Sequence, residues 1–490
     1  MMQNNQTSKN GLGKDTIKLT FSKVITLLIA TITSMILVRV RTLDEYGTYS
    51  ALLLVINLFT SLFMLGLPNS INYFLAKAET VEEKKHFLSI FYTLNTLLSI
   101  IIGVVLVLAI PLIETYFHNR FIRSFFYFLA FYPWASTTIS SFDNVLVVYK
   151  KTTLLMIFKI MYGISMLLSV LIIHWLGFGF SIYMIVFIST NCVFSFSSYC
   201  ISSKISGGIK PKVDFHFIKT IFWFSIPIGL STLIATLSIE IDKLLIGRLM
   251  DASQLAIYTN AAKELPLTII ATSVTAVILP HIVIMVKNGR MKEAVDLWGN
   301  ATVLAYIFIS LMTAGVFVYA EDVMRLLYSE KYLPGIGVFR IYCLTMLVRC
   351  TYFGMLLNST GNTKKIMYCS LANLTLNAIL NPLFYLWIGM EGPALATLIS
   401  ITLVSLFMLF ITSKVSKISF SRVFPWKKIL GITIVSFTFG LLFWKIKEIV
   451  PLDSLLGSLV ESILLGFVWT VFFVLVLWSQ IKQSWKGINE

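Results

Sequence analysis

Apolar runs of about 20 residues recur along this whole chain, and no other feature limits its fold as much. Runs of that length read as membrane-spanning helices. Of the 490 residues, 57% are hydrophobic and only 13% are charged, whereas soluble domains average about a quarter charged. The fold class expected is therefore all-α, a polytopic membrane protein. Fourteen spans are expected, near 17–40, 46–76, 86–113, 121–148, 153–175, 179–203, 218–248, 254–286, 294–318, 335–359, 364–388, 391–413, 427–449 and 455–480. The connectors between them are too short to hold a soluble domain. Lys9, Lys14, Lys18 and Lys23 precede or open the first run, which ends in LVRVRTLDEYG without a small-residue cleavage site. That span is expected to stay in the mature protein rather than leave as a signal peptide.

The net charge of +16 sits mostly in short loops between spans, which points to anionic lipid headgroups and topology rather than to nucleic acid. Lys and Arg concentrate in alternate loops. One set holds 25 of the 39; the other holds nine, namely Arg39, Arg41, Arg120, Arg123, Arg248, Arg325, Lys331, Lys445 and Lys447. The richer set is read as cytoplasmic, which places both termini in the cytoplasm and the chain in a cell membrane (plasma or inner). Fourteen or twelve spans keep this alternation, and thirteen would break it.

Five cations remain inside the expected spans: Lys159, Lys243, Lys263, Arg340 and Arg349. A cation at mid-bilayer costs about 2.5–3.5 kcal/mol, so these are expected to face protein or a watered cavity rather than lipid. Arg349 is expected near the middle of the tenth span. Arg340 lies nine residues earlier, about 900° of helix, and so on the opposite face. Lys159 lies one turn into its span and can either snorkel to the surface or face a cavity. Near the end of the seventh span, LSIEIDKLLIGRLM carries Glu240, Asp242, Lys243 and Arg248. Glu240 and Lys243 share a face as i,i+3 neighbours, and Asp242 points roughly the other way. Either the span stops near residue 240, leaving these charges among headgroups, or it continues through LLIG and buries them. Lys263 and Glu264 would lie at similar depth on the eighth span.

Two segments repeat weakly. RTLDEYGTYS begins at Arg41 and RLMDASQLAIYTNA at Arg248; each leads into a long helix that reaches a Leu-Pro pair, at Pro68 and Pro280. Two six-helix lobes plus two C-terminal helices fit this pattern, with boundaries at 1–203, a linker at 204–217, 218–413 and 414–490. Repeats of this kind are common in transporters.

Catalytic constellations are missing from the sequence. There is no GxxxxGK[ST] loop, HExxH or CxxC, and the five histidines are scattered. The five cysteines lie in or beside apolar runs and read as packed thiols. No enzymatic activity, cofactor or metal site is expected. Asp143 and Asn144 offer an ion site or a plain helix end. Pro68, Pro133, Pro227, Pro266 and Pro280 interrupt spans and can kink them.

Three stretches together resemble the polysaccharide transporter family, the lipid-linked oligosaccharide flippase branch of the multidrug/oligosaccharidyl-lipid/polysaccharide (MOP) exporter superfamily. They are LDEYGTYSALLLVINLFTSLFMLGLPNSINYFLAK, IDKLLIGRLMDASQLAIYTNAAKE and LLNSTGNTKKIMYCSLANLTLNAILNPLFYLWIGMEGPALATLIS. The resemblance implies two helical lobes around a central cavity that opens to alternate sides. It implies a substrate of a short glycan on undecaprenyl diphosphate, moved from the cytoplasmic to the outer leaflet. A diphosphate needs cations, and Arg349, Lys243, Lys263 and Lys159 are expected to supply them, with Arg39 near the outer mouth. Glu240, Asp242 and Glu264 are expected to balance charge or couple to H⁺ or Na⁺. Membrane lipids are further partners, and a polysaccharide polymerase and glycosyltransferases are natural ones. Two other readings remain open: an ion-coupled drug or metabolite antiporter, and a non-transporting scaffold.

Overall fold

A computed structural model describes residues 22–263, 265, 269–449 and 457–489. All regular structure among them is helical. The chain divides into two compact units. The N-terminal unit runs to Glu240 and includes Gly247–Ala256; the C-terminal unit takes Ile241–Ile246 and everything from Ile257 onward.

The N-terminal unit contains α1 (Ser22–Val40), α2 (Leu43–Phe63), α3 (Ser70–Lys77), α4 (Val81–Leu108), α5 (Ile110–Phe117), α6 (Phe126–Val148), α7 (Thr152–Trp175), α8 (Phe180–Ile205) and most of α9 (Phe215–Leu249). Local chemistry sets the starts of α2 and α4. Thr42 with Glu45, and Thr80 with Glu83, form reciprocal capping boxes that satisfy first-turn N–H groups. The α2–α3 break falls at the Gly-Leu-Pro turn. Gly66 adopts φ 73°, and a Cβ there would lie 2.7 Å from the Gly229 nitrogen, so only glycine fits. Helix α6 is the centre of the unit and packs on α4 and α8. Gly103 brings α4 so close to α6 that a Cβ would sit 2.4 Å from the Ala130 carbonyl oxygen. Asn95 donates to Thr138 (3.0 Å) and Ser99 meets Thr137 (3.2 Å) across the same contact.

The C-terminal unit contains the end of α10 (Ala252–Ala261), then α11 (Ile269–Lys287), α12 (Met291–Val318), α13 (Ala320–Leu327), α14 (Ile336–Val348), α15 (Met355–Ser359), α16 (Thr363–Ile388), α17 (Glu391–Ser416), α18 (Phe420–Val423), α19 (Trp426–Ile449) and α20 (Ser458–Asn489). Helix α12 is central and meets α11, α14, α19 and α20. Its Trp298 is fully buried in a cluster with Ile282, Met355, Leu409 and Phe424, and the indole N–H donates to Thr351 at 2.9 Å.

Thirteen helices among the described residues are long and apolar enough to cross a membrane. The remaining expected span corresponds to α6. It has 23 residues, enough to cross, but Ser136, Thr137, Thr138, Ser140, Ser141, Asp143 and Asn144 make it polar. Four expected spans are also broken, 86–113 among them, which runs from α4 into α5. Residues 46–76 become α2 and α3, 254–286 become α10 and α11, and 335–359 become α14 and α15. Helix α9, by contrast, does not stop at residue 240. At 35 residues it is about 52 Å long, against a hydrocarbon thickness of about 30 Å.

Candidate functional site

Each unit holds a polar site. In the N-terminal unit, a pocket of about 390 Å³ opens among α2, α6 and α9. Helix α2 supplies Asn57, Thr60 and Ser61, whose i, i+3, i+4 spacing puts them on one face. Helix α6 supplies Ser136, Thr137 and Ser140, and α9 supplies Thr236, Ile239 and Glu240. Thr137 donates to the Pro133 carbonyl (2.8 Å), Ser140 to the Thr137 carbonyl (3.1 Å) and Ser61 to Thr236 (3.1 Å). A hydroxyl that spends its proton this way keeps lone pairs as acceptors. With the Glu240 carboxylate, the wall suits a ligand rich in O–H or N–H donors. The lining carries no Lys or Arg, so it does not suit a phosphate.

In the C-terminal unit, Asp242 is 1% exposed. Its Oδ2 accepts from the Tyr258 hydroxyl at 2.8 Å and from the Tyr342 hydroxyl. On α17, the buried Thr397 hydroxyl donates to Asn377 Oδ1 of α16 at 3.1 Å. Asn377 in turn donates to the Asn373 carbonyl at 3.0 Å. Asp242 thus ties α9 to α10 and α14, and Thr397 with Asn377 ties α17 to α16. One turn beyond Asn377, Asn381 is buried with neither amide atom hydrogen-bonded.

The expected cations separate into different settings. Lys243 is half-buried next to Asp242, and Lys263 lies within electrostatic reach of it. Lys263 sits in the break between α10 and α11, not inside one long helix. Pro266, which lacks an N–H, follows it in the sequence. Arg349 is not at the middle of a span. It caps the C-terminal end of α14, seven residues or about 10 Å of helix beyond Tyr342. Lys159 forms an ion pair with Asp143, Nζ to Oδ2 2.6 Å, between α7 and α6. Arg39 is exposed near the end of α1 and donates to the Met35 carbonyl at 3.0 Å. Glu264 lies outside the described residues. Among the described residues, no cluster of three His, Cys, Asp or Glu could hold a metal ion.

Sequence reasoning missed the hydroxyl wall and the two tyrosines. The hydroxyl wall had a readable signal: helix-spaced Asn, Ser and Thr in spans two, four and seven. Tyr342 had none, because it comes from a helix 100 residues away from Asp242, whereas Tyr258 lies 16 residues from Asp242 within the stretch IDKLLIGRLMDASQLAIYTNAAKE. Arg41 was also missed as a structural cation. It is 7% exposed, donates to the Phe178 carbonyl at 3.3 Å and lies over the Tyr183 ring.

Over residues 36–336, more than half of its length, the chain matches the family described as polysaccharide biosynthesis protein. The chain belongs to that family. An uncharacterized membrane protein of Methanocaldococcus jannaschii is 23% identical over 388 residues, covering 75% of this chain and 89% of that protein. Among solved structures, lipid II flippase MurJ in an inward closed conformation superposes with a TM-score of 0.75 at 16% identity, over 94% of this chain and 99% of MurJ. An inward-facing multidrug resistance transporter of the MATE family, in the MOP superfamily, superposes with a TM-score of 0.58 at 13% identity, over 82% and 98% of the two chains. At these identities the structural likeness establishes the polytopic helical fold. The family match and this fold agree with the resemblance read from the three sequence stretches.

Proposed function

We propose that this member of the polysaccharide biosynthesis family is a flippase. It moves an oligosaccharide unit linked to undecaprenyl diphosphate from the cytoplasmic to the outer leaflet by alternating access. The surface polysaccharide pathway supplies the unit, and a polymerase consumes it on the far side. The observation that carries this reading is the pocket among α2, α6 and α9. A wall of hydroxyls, an amide and one carboxylate, set within spanning helices, matches the donor-rich surface of a glycan.

Lys243, Lys263 and Arg349 are the cations proposed for the diphosphate. Lys159 is already paired with Asp143, so its role is structural. Asp242, held by two hydroxyls, is the carboxylate proposed to couple transport to H⁺ or Na⁺. The lobe boundaries proposed are 1–203 and 218–413, with both termini in the cytoplasm.

The test is lipid analysis of cells lacking the protein. Accumulation of an undecaprenyl-diphosphate-linked glycan, with loss of a surface polysaccharide, supports the reading, and the trapped glycan names the substrate. Unchanged lipid-linked glycans with raised sensitivity to small cationic compounds would replace it with an antiporter.

A further inference from the structure

The N-terminal unit holds a second and larger pocket, of about 560 Å³, at the start of α2. Glu45 in its lining is twelve residues, or about 18 Å of helix, from Asn57 in the hydroxyl pocket, so the two are separate. The walls are the first turn of α2, the turn Arg120–Phe125 that leads into α6, and the first turn of α8. Phe125 and Phe180 line it as buried rings, and Phe121 as a ring 71% exposed. Asp44 and Glu45 supply carboxylates, and Ser181 a hydroxyl.

Each carboxylate is only half used. Asp44 Oδ1 accepts the Ser253 hydroxyl at 2.7 Å, and Glu45 Oε2 accepts the Thr42 N–H at 3.0 Å. Among the described residues, the second oxygen of each takes no hydrogen bond. Asp44 is exposed and Glu45 half-buried, so a ligand can reach both. An ionised carboxylate is an acceptor only, and it calls for donors. The charges around the pocket offset one another. Helices α2 and α8 both begin at it; each N-terminus carries about half a positive charge, and no side chain caps α8. Arg41, one residue before Thr42, is buried against the Phe178 carbonyl and the Tyr183 ring. Arg123 is paired with Glu114 at 2.9 Å, and Arg120 is exposed where the turn opens. A phosphate would meet two carboxylates here, and an ammonium would meet two helix N-termini and Arg41. What fits is an uncharged ligand with hydroxyl donors at its edge and an apolar face for the phenylalanine rings. A sugar ring has both.

We propose that this pocket is an exit subsite that holds one sugar of the translocated unit. The proposal rests on the flippase reading: Arg41, Arg120 and Arg123 fall in the charge-poor loops read as outer, so the pocket faces the side where the glycan arrives. Edge hydroxyls of one pyranose donate to the open oxygens of Asp44 and Glu45, and its C–H face lies on Phe121. The first N–H groups of α8, which have no partner within their own helix, donate to a sugar oxygen. A sugar held here after crossing is drawn away from the hydroxyl pocket, which is left clear for the next unit.

The test is site-specific photocrosslinking in cells, with p-benzoylphenylalanine in place of Ile182, which lines the pocket and is 39% exposed. The cells are those in which deleting the protein makes a lipid-linked glycan accumulate. Mass spectrometry of the peptide around position 182 should find an adduct of one lipid-linked unit. Phe121→Ala removes a ring too exposed to support the fold and should cut that adduct several-fold at unchanged protein abundance. Glu45→Gln keeps the capping box, loses the charge and should do the same. No adduct, an adduct of phospholipid or of finished polymer, or a yield that neither variant changes overturns the proposal and leaves the flippase reading standing. If deletion accumulates no lipid-linked glycan, the flippase reading itself falls, and the exit subsite with it.

Discussion

Glu240 and Asp242 stand two residues apart on α9 and serve different sites. At 100° per residue they point about 200° apart. Glu240 lines the hydroxyl pocket with α2 and α6, while Asp242 is buried against Tyr258 and Tyr342. Two carboxylates that look like one acidic motif therefore carry separate chemistry, and they should separate experimentally. Glu240→Gln keeps the shape of the pocket wall but removes its charge. It should lower export of the lipid-linked glycan while leaving protein abundance and melting temperature near wild type. Asp242→Ala leaves two buried hydroxyls without their acceptor and should lower the melting temperature as well. Equal behaviour in thermal melts and in export would show that the two residues act as one site.

The tyrosine clamp makes a sharper statement about Asp242. Tyr342→Phe removes one donor to a buried carboxylate and leaves the ring. A cost of about 1–3 kcal/mol is expected, visible as a lower unfolding midpoint in detergent. Tyr258→Phe should behave alike. Replacing Asp242 with Asn in the Tyr342→Phe background should recover part of the loss, since a neutral amide is cheaper to bury than a half-satisfied charge. An Asp242→Asn/Tyr342→Phe protein no more stable than Tyr342→Phe alone would show that Asp242 is not the group the tyrosines stabilise.

Much of the fold could be read from the sequence, because a spanning helix is specified by local composition. Helix α9 is an example: its apolar run and LLIG extension are both present in the chain. Helix α6 shows where composition fails. Its serines, threonines, Asp143 and Asn144 lower its hydropathy, and Ser136, Thr137 and Ser140 among them line the pocket, so this helix has the weakest membrane signal of the expected spans. The break at Arg349 was not legible, since an apolar stretch looks the same whether one helix or two cover it, and the break at Lys263 was marked only by Pro266. The candidate site was half legible. Intramembrane charge flagged Glu240, Asp242 and Lys243, but their partners depend on which helices pack together. Lys159 was flagged for the same reason, and its partner Asp143 lies on another helix.

The Lys159–Asp143 pair yields a charge-cycle prediction. Lys159→Met leaves Asp143 without its cation, and Asp143→Asn leaves Lys159 without its anion. Each should lower stability by about 1.5–3 kcal/mol, the range for hydrogen bonds to charged groups. The double variant should lose less than the sum of the two, because no unpaired charge remains. Strict additivity in chemical or thermal unfolding would mean that the 2.6 Å contact contributes no coupling.

Ahead of α9, Asp214 accepts the Phe217 N–H at 3.1 Å and lies 3.5 Å from His86. The backbone hydrogen bond from Phe217, with His86 nearby, holds its carboxyl below the ordinary value of 3.8. A depressed folded pKa stabilises the protein above the unfolded pKa, and the gain disappears as pH falls through the folded one. Asp214→Ala should therefore melt below wild type at pH 6, and the gap should close as pH drops below 4. The group is exposed, so the gap is small. A gap that stays constant from pH 6 to pH 3 would show that the cap works without its charge.

Glycine at the α4–α6 contact supports the most direct packing prediction. A Cβ on Gly103 would lie 2.4 Å from the Ala130 oxygen and 3.2 Å from its Cα, and both are backbone atoms that cannot rotate away. Gly103→Val must push the helices apart and strain the Asn95–Thr138 and Ser99–Thr137 bonds that cross the same contact. Overpacking of this kind costs about 1–3 kcal/mol, and the loss of the crossing bonds adds to it. Gly431, in α19, has nothing within 4 Å of where a Cβ would sit. Gly431→Ala should be neutral or stabilise by up to about 1 kcal/mol through helix propensity. Membrane abundance and thermal melting of the two variants decide the matter. If Gly103→Val accumulates and melts like Gly431→Ala, α4 and α6 do not meet at Gly103, and the wall of the hydroxyl pocket is not held by that contact.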